Sequence, residues 1–293
     1  MPKKELISKI KDKDGLVCFP YDTVDREVID AATNLKAIST FSVGYDQIDI
    51  KYAIKKGIIV SYTPEILTRA TADLTMALML ALLRRVVEGD RTIRNNKWKV
   101  IFGAYDFLGT DLYGKTLGIF GMGRIGKAVA KRASGFEMNV LYHNRNKLPN
   151  AKEKSLGVKY VSLDCLFMTS DIVSIHAPYT KETHHLVNLK LLKKMKRTAF
   201  LINTARGKIV NEKDLVFALK KKIIAGAALD VYQNEPINKT HPLAKMENVV
   251  VTPHIGSSTN ETRREMAKIT VQNLILSLSG KRPIYAVNSN AKI

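Results

Sequence analysis

The chain has 293 residues, 45% of them hydrophobic, which excludes overall disorder and predicts two domains with cores of their own. Lysine and arginine number 47 against 27 acidic residues, giving a net charge of +20. Because the basic residues occur singly or in runs of two or three, with no arm of interleaved aromatic residues, the charge favours anionic ligands and predicts no nucleic-acid partner.

Cysteine usage and the first residues indicate a cytoplasmic protein. Cys18 and Cys165 each lie in an apolar run, which is typical of buried thiols in a reducing compartment and not of a disulfide framework or a metal site. The first residues are charged throughout and contain no signal-peptide core. The most apolar predicted helix, over 74–83, is shorter than the roughly 20 residues that cross a bilayer, so no membrane partner is expected.

Residues 1–66 predict a small domain of alternating helices and strands. Apolar spacing indicates helices over 4–10, 25–32 and 52–56 and strands over 16–19, 35–40 and 58–61. The loop FSVGYDQID follows the second strand. Residues 71–87 then predict one long helix that is apolar on nearly every face, which we expect to be buried between domains or between subunits. Residues 88–111 are irregular in pattern and contain Trp98.

The apolar run 117–120 is followed at once by G-x-G-x-x-G, on Gly121, Gly123 and Gly126. The first glycine permits a tight turn, the second lets the backbone approach a pyrophosphate, and the third lets the next helix, over 124–133, pack closely on the strand. The N-terminal amides of that helix would face the phosphates. A second strand over 139–142 completes a βαβ unit, so this stretch predicts dinucleotide binding.

Strands and helices continue to alternate to the end of the chain. Six strands are predicted, over 116–120, 139–142, 171–175, 199–203, 225–229 and 249–252. This pattern is typical of a doubly wound parallel sheet in the α/β class. A last helix over 260–278 is expected to return to the first domain through Met266, Ile269, Leu274, Leu276 and Leu278. The predicted domains are therefore 67–257 for the cofactor and a discontinuous 1–66 with 258–293 for the substrate.

Three of the predicted strands each deliver a charged or titratable residue to the carboxyl edge of the sheet, where ligands bind in such folds. Arg206 follows the fourth strand, Glu235 the fifth and His254 the sixth. A guanidinium can hold a carboxylate and polarise the neighbouring carbonyl, and an imidazolium can donate a proton. A carboxylate can orient that imidazole and favour its charged form. The set suits reduction of a 2-oxo acid.

The motifs GMGRIG, HAPYTKET, NTARG, ALDVYQNEP, TPHIGSST and SVGYDQID resemble the D-isomer-specific 2-hydroxyacid dehydrogenase family, most of all its glyoxylate and hydroxypyruvate reductases. The resemblance implies a Rossmann cofactor domain and a smaller flavodoxin-like substrate domain. It also implies that Arg206 binds the substrate's carboxylate and carbonyl, that Glu235 supports His254, and that His254 is the acid/base. The backbone amides of Val43 and Gly44 would hold the carboxylate, and a homodimer is expected.

The cofactor would bind along the carboxyl edge of the Rossmann sheet. The candidate cofactor-binding residues are Thr71, Gly121, Gly123, Arg124, Ile125, Gly126, Asn144, Arg145, Lys147, His176, Pro178, Thr183, Thr204, Ala205, Arg206, Asp230, His254 and Gly256.

Members of the family usually have a further strand, helix and strand before the region that matches Lys4. We therefore expect a substrate domain shortened at its N terminus. The strand over 16–19 would then have an unpaired edge, which favours self-association.

The end of the second Rossmann strand indicates which nicotinamide cofactor is used. NAD-specific sites place an acidic residue there to bond the ribose 2′-hydroxyl. Here the positions are His143, Asn144, Arg145 and Lys147, which offer cations to a 2′-phosphate and no carboxylate to repel it. This pattern favours NADP, with NAD possible as well.

These observations predict NADPH-dependent reduction of glyoxylate or hydroxypyruvate to the 2-hydroxy acid by hydride transfer, with a histidine as proton donor. One alternative is an NAD-dependent D-lactate or D-3-phosphoglycerate dehydrogenase. Another is a nucleotide-sensing interaction protein like the corepressors that share this fold.

Overall fold

The computed structural model describes residues 1–287, so the last part of the predicted segment 258–293 lies outside the described residues. The chain divides into two compact units. We call residues 1–68 together with those from 257 onward the small unit, and Arg69–Gly256 the large unit. The sequence placed these boundaries at 66/67 and 257/258.

The small unit begins with three helix–strand (αβ) repeats that form a parallel sheet. In residues 1–68 the elements are α1 Lys3–Ile10, β1 Gly15–Cys18, α2 Arg26–Ala31, β2 Ala37–Thr40, α3 Ile50–Lys55 and β3 Ile59–Ser61. The strands pair in the order β1-β2-β3, which leaves β2 in the centre. Asp25 and Asp49 cap α2 and α3 by accepting hydrogen bonds from the amides of Val28 and Tyr52, at 3.3 and 3.0 Å.

The long apolar helix predicted over 71–87 is two helices, α4 Thr68–Leu83 and α5 Val86–Arg94. The break lies at Arg85, which has a left-handed φ of 53°. The buried side chains of α4, among them Met76, Met79 and Leu83, belong to the core of the large unit and pack with its strand residues. The expected burial between domains or subunits is therefore wrong for this face of α4.

The large unit contains a parallel sheet that has seven strands within the described residues. They are β4 Thr116–Phe120, β5 Asn139–His143, β6 Val158–Tyr160, β7 Ile172–Ile175, β8 Phe200–Asn203, β9 Gly226–Leu229 and β10 Val249–Val251, in the order β10-β9-β8-β7-β4-β5-β6. The sequence predicted six of these strands and missed β6. The order reverses direction beside β4, which is the switch point of a doubly wound fold.

Five helices connect these strands: α6 Arg124–Ser134, α7 Asn150–Leu156, α8 Leu163–Thr169, α9 Leu189–Leu192 and α10 Glu212–Lys220. Buried side chains cover both faces of the sheet in two clusters. One includes Phe167, Leu192 and Leu215, and the other includes Ile119 and Val129. Central parallel strands buried on both faces explain why the sequence shows continuous apolar runs there.

The last helix, α11 Asn260–Leu278, coincides with the predicted 260–278 and packs on β1, β2 and β3 of the small unit. Its buried face is mostly polar, unlike the apolar register expected from the sequence; of that register Met266 is fully buried. The hydroxyls of Thr270 and Ser277 donate to carbonyls four residues earlier at 2.8 Å. Asn273 donates to the carbonyl of Tyr62 at 3.1 Å, so these buried polar groups are satisfied.

The two cysteines differ in environment. Cys18 is fully buried, and this burial raises the pKa of its thiol to about 12. Cys165 is only partly buried, in contrast to the expectation that both thiols are inside. Among the helices of residues 1–287, none is long and apolar enough to cross a membrane.

Candidate active site

Adjacent strands bring three loops of the large unit to one edge of the sheet. Asn203, at the end of β8, is opposite Leu229 at the end of β9, which in turn is opposite Val251 at the end of β10. The loops that follow these strands carry Arg206, Glu235 and His254. The sequence therefore assigned the three candidate catalytic residues to neighbouring strand ends.

Glu235 and His254 form a direct pair. Nδ1 of His254 lies 2.7 Å from Oε2 of Glu235, while Oε1 accepts the amide of Tyr232 at 2.9 Å. Burial raises the pKa of Glu235, but the hydrogen bond and charge of His254, the Tyr232 amide and the charge of Arg206 together hold it below its usual range. An ionised carboxylate only accepts hydrogen bonds, so Nδ1 of His254 carries the shared hydrogen.

That pairing determines which ring nitrogen of His254 is available for chemistry. Since Nδ1 is bound to Glu235, the nitrogen that can exchange a proton with a ligand is Nε2, for which the described structure shows no protein partner. The imidazole is 35% exposed, so a ligand can reach it. Its backbone has a left-handed φ of 54°, a conformation that is costly outside glycine and is found in functional loops.

Asp230 holds the loop of His254 in place. Its carboxylate is 1% exposed and accepts hydrogen bonds from the amides of Ile255 and Gly256, both at 2.8 Å. The hydroxyl of Thr252 donates to the same carboxylate at 2.7 Å. The sequence proposed Asp230 for cofactor binding, and the structure shows both of its oxygens engaged with the histidine loop.

Arg206 lies in a loop that is packed against the loop of Glu235. Asn203 accepts the amide of Ala205 and donates to the carbonyl of Arg206, both at 3.0 Å, which fixes the turn. A Cβ at Gly207 would lie 1.9 Å from the carbonyl carbon of Tyr232, so the two loops touch through their main chains. Asn203 was not singled out in the sequence, although an asparagine that ends an apolar strand before a turn is a usable signal.

The glycine-rich turn has the geometry that a dinucleotide requires. Gly121 has a φ of 101°, and a Cβ there would lie 2.3 Å from the amide nitrogen of Ala177. A Cβ at Gly126 would lie 2.2 Å from the carbonyl oxygen of Gly121, so the helix packs tightly on the turn. Gly123 faces open space and begins α6 without a side-chain cap, which leaves the helix amides to a phosphate. The turn therefore fits the phosphates of a dinucleotide.

Some of the residues after β5 already make contacts with other protein groups. His143 has Nδ1 2.9 Å from the carbonyl oxygen of Val161. The ammonium of Lys147 lies 3.3 Å from Glu153, and Asn144 donates to the carbonyl of Asn146 at 3.1 Å. Arg145 is exposed. Of the basic pair proposed for a 2′-phosphate, Arg145 is thus the better placed.

The remaining cofactor candidates line the same edge or shape its loops. Nε2 of His176 lies 2.8 Å from the hydroxyl of Ser174, and its buried surroundings lower the pKa of this histidine to about 3, so the ring is neutral. Thr183 donates to the carbonyl of Pro178 at 2.9 Å. Thr71 donates to the carbonyl of Gly256 at 3.1 Å. The hydroxyl of Thr204 lies 2.9 Å from that of Thr75. Thr75, on α4, was missed in the sequence.

The candidate carboxylate loop of the small unit follows β2. Val43 and Gly44 are partly exposed and precede the exposed Tyr45. The amides of these three successive residues have no acceptor within the described part of the chain. Successive unpaired amides can form a concave anion site, so Tyr45 joins the two residues that the sequence proposed.

Comparisons with known proteins agree with this geometry. Residues 76–256 match the family model of the D-isomer specific 2-hydroxyacid dehydrogenase NAD binding domain. A protein from Thermofilum pendens called glyoxylate reductase is 50% identical over 286 residues, which cover 98% of this chain and 84% of that protein. The chain belongs to the D-isomer specific 2-hydroxyacid dehydrogenase family. This membership makes the protein an oxidoreductase with a dinucleotide-binding domain.

Solved structures show the same fold as this dehydrogenase. An NADPH-dependent glyoxylate/hydroxypyruvate reductase from Sinorhizobium meliloti, determined with NADP and malonate, has a TM-score of 0.88 and 32% identity; the match covers 98% of this chain and 87% of that one. A D-lactate dehydrogenase from Aquifex aeolicus, determined with NAD and lactic acid, has a TM-score of 0.82 and 32% identity, with 98% and 89% covered. The fold class expected from the sequence, a Rossmann domain with a second α/β domain, is confirmed.

Proposed function

We propose that this dehydrogenase reduces small 2-oxo acids, glyoxylate and hydroxypyruvate, to 2-hydroxy acids with NADPH. The observation that carries the proposal is the Glu235–His254 pair beside Arg206, on the ligand-binding edge of a dinucleotide sheet. The glyoxylate reductases among its relatives support this substrate class.

Each polar group has a part that follows from its chemistry. A reduced nicotinamide dinucleotide bound at the turn of Gly121, Gly123 and Gly126 would supply the hydride for the carbonyl carbon. Nε2 of His254 donates a proton to the carbonyl oxygen, so the carbonyl becomes a hydroxyl and charge stays balanced. Glu235 keeps Nδ1 bonded and stabilises the charged ring before that transfer.

The substrate's carboxylate needs hydrogen-bond donors other than His254, whose proton goes to the carbonyl oxygen. The guanidinium of Arg206 offers a planar fork to the carboxylate and polarises the adjacent carbonyl. The backbone amides of Val43 and Gly44 add neutral donors that need no change of protonation. We infer that Arg206 and the two amides bind the carboxylate and that His254 is the proton donor.

The preference for NADPH rests on the residues after β5. An acidic residue there would repel a 2′-phosphate, and this chain has His143-Asn144-Arg145 instead. Arg145 is exposed and can turn toward the phosphate, whereas Lys147 is paired with Glu153. The Sinorhizobium meliloti enzyme with NADP supports the same choice.

We also propose a homodimer formed through residues 86–113. Within the described residues, nine of the 21 exposed large apolar side chains fall in this short segment: Val86, Ile93, Trp98, Val100, Ile101, Phe102, Tyr105, Leu108 and Tyr113. Such a concentration of exposed apolar side chains in one segment is typical of an interaction surface. Isologous pairing of one segment with its copy covers it on both subunits.

A steady-state panel tests the function. Glyoxylate, hydroxypyruvate, pyruvate and 3-phosphohydroxypyruvate would each be measured with NADPH and with NADH. We expect the highest kcat/KM for glyoxylate or hydroxypyruvate with NADPH. A preference for pyruvate or the phosphorylated acid with NADH would favour a D-lactate or D-3-phosphoglycerate dehydrogenase, and no turnover at all would favour a nucleotide-sensing protein.

A further inference from the structure

The loop after β2 contains a chain of side-chain hydrogen bonds behind its unpaired amides. Nε2 of Gln47 donates to the hydroxyl of Thr40 at 2.9 Å, and the hydroxyls of Thr40 and Ser42 lie 3.0 Å apart. The hydroxyl of Ser42 donates to the carbonyl of Gly44. Ser42 is 5% exposed and Thr40 is fully buried, so the two hydroxyls are shielded from water, while Gln47 is partly exposed.

Only one direction of donation satisfies this arrangement. The carbonyl of Gly44 can only accept, so the single hydroxyl hydrogen of Ser42 is used there. Ser42 must then accept from Thr40, whose hydroxyl in turn accepts from the amide of Gln47. Three side chains therefore form one ordered relay that ends on the backbone of the amide loop.

The main chain of Ser42 is held as well. Its carbonyl accepts the amide of Thr63 at 3.0 Å, and the amide of the preceding Phe41 donates to the carbonyl of Cys18 at 2.8 Å. The start of the loop is thus tied to β1 and to the residues after β3. Within residues 1–287 the amides of Val43, Gly44 and Tyr45 have no acceptor, while the carbonyl of Gly44 accepts from Ser42 and that of Tyr45 accepts the amide of Ile48 at 3.1 Å.

The bond from Ser42 fixes the orientation of the peptide that follows Gly44. In a trans peptide the carbonyl and the amide of the next residue point in opposite directions. Because the Gly44 carbonyl is turned toward the buried hydroxyl of Ser42, the amide of Tyr45 points away from it. The amide of Tyr45 is thereby a third unpaired donor, next in sequence to the amides of Val43 and Gly44.

We propose that Ser42 is a positioning residue for the substrate's carboxylate, with Thr40 and Gln47 behind it, and that Tyr45 contributes a third backbone donor. This inference rests on the proposed function, because it assigns the three amides to a 2-oxo acid carboxylate. The relay keeps the amide loop in its binding conformation before the ligand arrives, which lowers the cost of ordering it on binding.

Ser42→Ala tests the relay. The change leaves the partly buried carbonyl of Gly44 without its donor, so the loop should lose its fixed orientation. We expect KM for glyoxylate and Kd for oxamate, a carboxylate of similar size that cannot be reduced, to rise roughly 5- to 50-fold. kcat and KM for NADPH should change by less than about twofold, because uniform binding is lost and not transition-state binding.

Two further variants separate positioning from general stability. Ser42→Thr retains the hydroxyl and should restore most of the affinity for oxamate. Ser61→Ala removes a buried hydroxyl on β3 that donates to the carbonyl of Ile38 at 3.3 Å, and it should leave KM for glyoxylate unchanged. An unchanged KM in Ser42→Ala, or an equal rise in Ser61→Ala, would overturn the proposal.

A double-mutant cycle tests whether the relay acts as a unit. Gln47→Leu should weaken oxamate binding less than Ser42→Ala, and in the Ser42→Ala background it should add almost nothing. Strictly additive effects would show that Gln47 is not coupled to Ser42. If the wild-type protein reduces another 2-oxo acid in place of glyoxylate, the substrate in the proposed function is wrong, while oxamate binding still decides the relay.

Discussion

His254 donates from Nδ1 to Oε2 of Glu235 across 2.7 Å, and the two residues come from loops that follow adjacent strands. The pair involves protein groups alone, and it leaves Nε2 as the ring nitrogen available for the proton transfer proposed above. A histidine held by a protein carboxylate needs little reorganisation when a proton is transferred.

Replacing His254 tests its role as proton donor. His254→Ala should lower kcat by roughly 10²- to 10⁴-fold, the range for a lost general acid, while Kd for NADPH changes little. His254→Asn is the matched variant, because asparagine tolerates the left-handed φ of 54° and can still bond to Glu235. Both variants should lose activity alike. Normal turnover in either one would contradict the mechanism.

The Glu235–His254 pair should make the free energy of unfolding depend on pH. The pKa of Glu235 is lower in the folded protein than in the unfolded chain, where it is about 4.3. The ionised carboxylate therefore stabilises the fold fully above about pH 4.3, and this stabilisation is lost as the pH falls through the lower, folded pKa. The free energy of unfolding of the wild type, minus that of Glu235→Gln, should thus be larger at pH 7 than near pH 3. Urea titrations at both pH values measure it; a difference independent of pH would mean that the carboxylate is not stabilised.

Substitutions at two glycines of the turn should have different effects, one on cofactor binding and the other on folding. Gly123→Ala adds a methyl group in open space, so Tm should stay within a few degrees while Kd for NADPH rises, because the backbone can no longer approach a pyrophosphate. Gly126→Ala places its Cβ 2.2 Å from a carbonyl oxygen and should lower Tm. Thermal unfolding and NADPH fluorescence titration distinguish the two. Equal effects of both changes on Tm would contradict this division.

Cofactor preference should depend on Arg145 and not on Lys147. One hydrogen bond to a charged group contributes about 1.5 to 3 kcal/mol, so Arg145→Ala should weaken NADPH roughly ten- to a hundredfold, with exposure favouring the lower figure. Lys147→Ala is the control, since its ammonium is paired with Glu153. His143→Asp with Arg145→Ala should invert the preference toward NADH. The assay is kcat/KM for both cofactors with one oxo acid; a wild type that prefers NADH would refute the assignment.

The segment 86–113 should determine oligomeric state. Ile101 is 89% exposed, and Ile101→Asp would place a charge in the proposed dimer contact. We expect this variant to sediment as a monomer where the wild type sediments as a dimer. Phe217→Asp, at a 44% exposed position on α10, is the control and should leave the dimer intact. A monomeric wild type would contradict the proposal directly.

Much of the fold could be predicted from periodicity, because parallel strands buried on both faces leave continuous apolar runs. The strand β6 was missed since Val158–Tyr160 is only three residues long and has no such run. The end of α4 was missed because Arg85 is left-handed; its side chain bonds bidentately to Glu88 three residues later and stacks at 4.1 Å on Phe107, 22 residues later. The contact with Phe107 cannot be recognised in a local window of sequence.

The candidate site was accessible to sequence reasoning where residue type alone suggests chemistry. Arg206, Glu235 and His254 follow strand ends and could be placed together by topology. The residues that hold them could not be assigned. Asp230 anchors the loop of His254, and Asn203 anchors the loop of Arg206, through hydrogen bonds to main-chain groups. These bonds can be recognised only in the structure. On α11 the buried face is polar, and apolar periodicity cannot detect it.

Gly207 sets a limit on how this protein can be redesigned. A Cβ on this residue would overlap the peptide between Tyr232 and Gln233. The spacing between the loop of Arg206 and the loop of Glu235 is therefore fixed by main-chain atoms and not by side chains that can adapt. Every other amino acid at this position would push the two loops apart. A mutational library for altered substrate range should therefore leave residue 207 constant and vary side chains around the Val43–Gly44 loop.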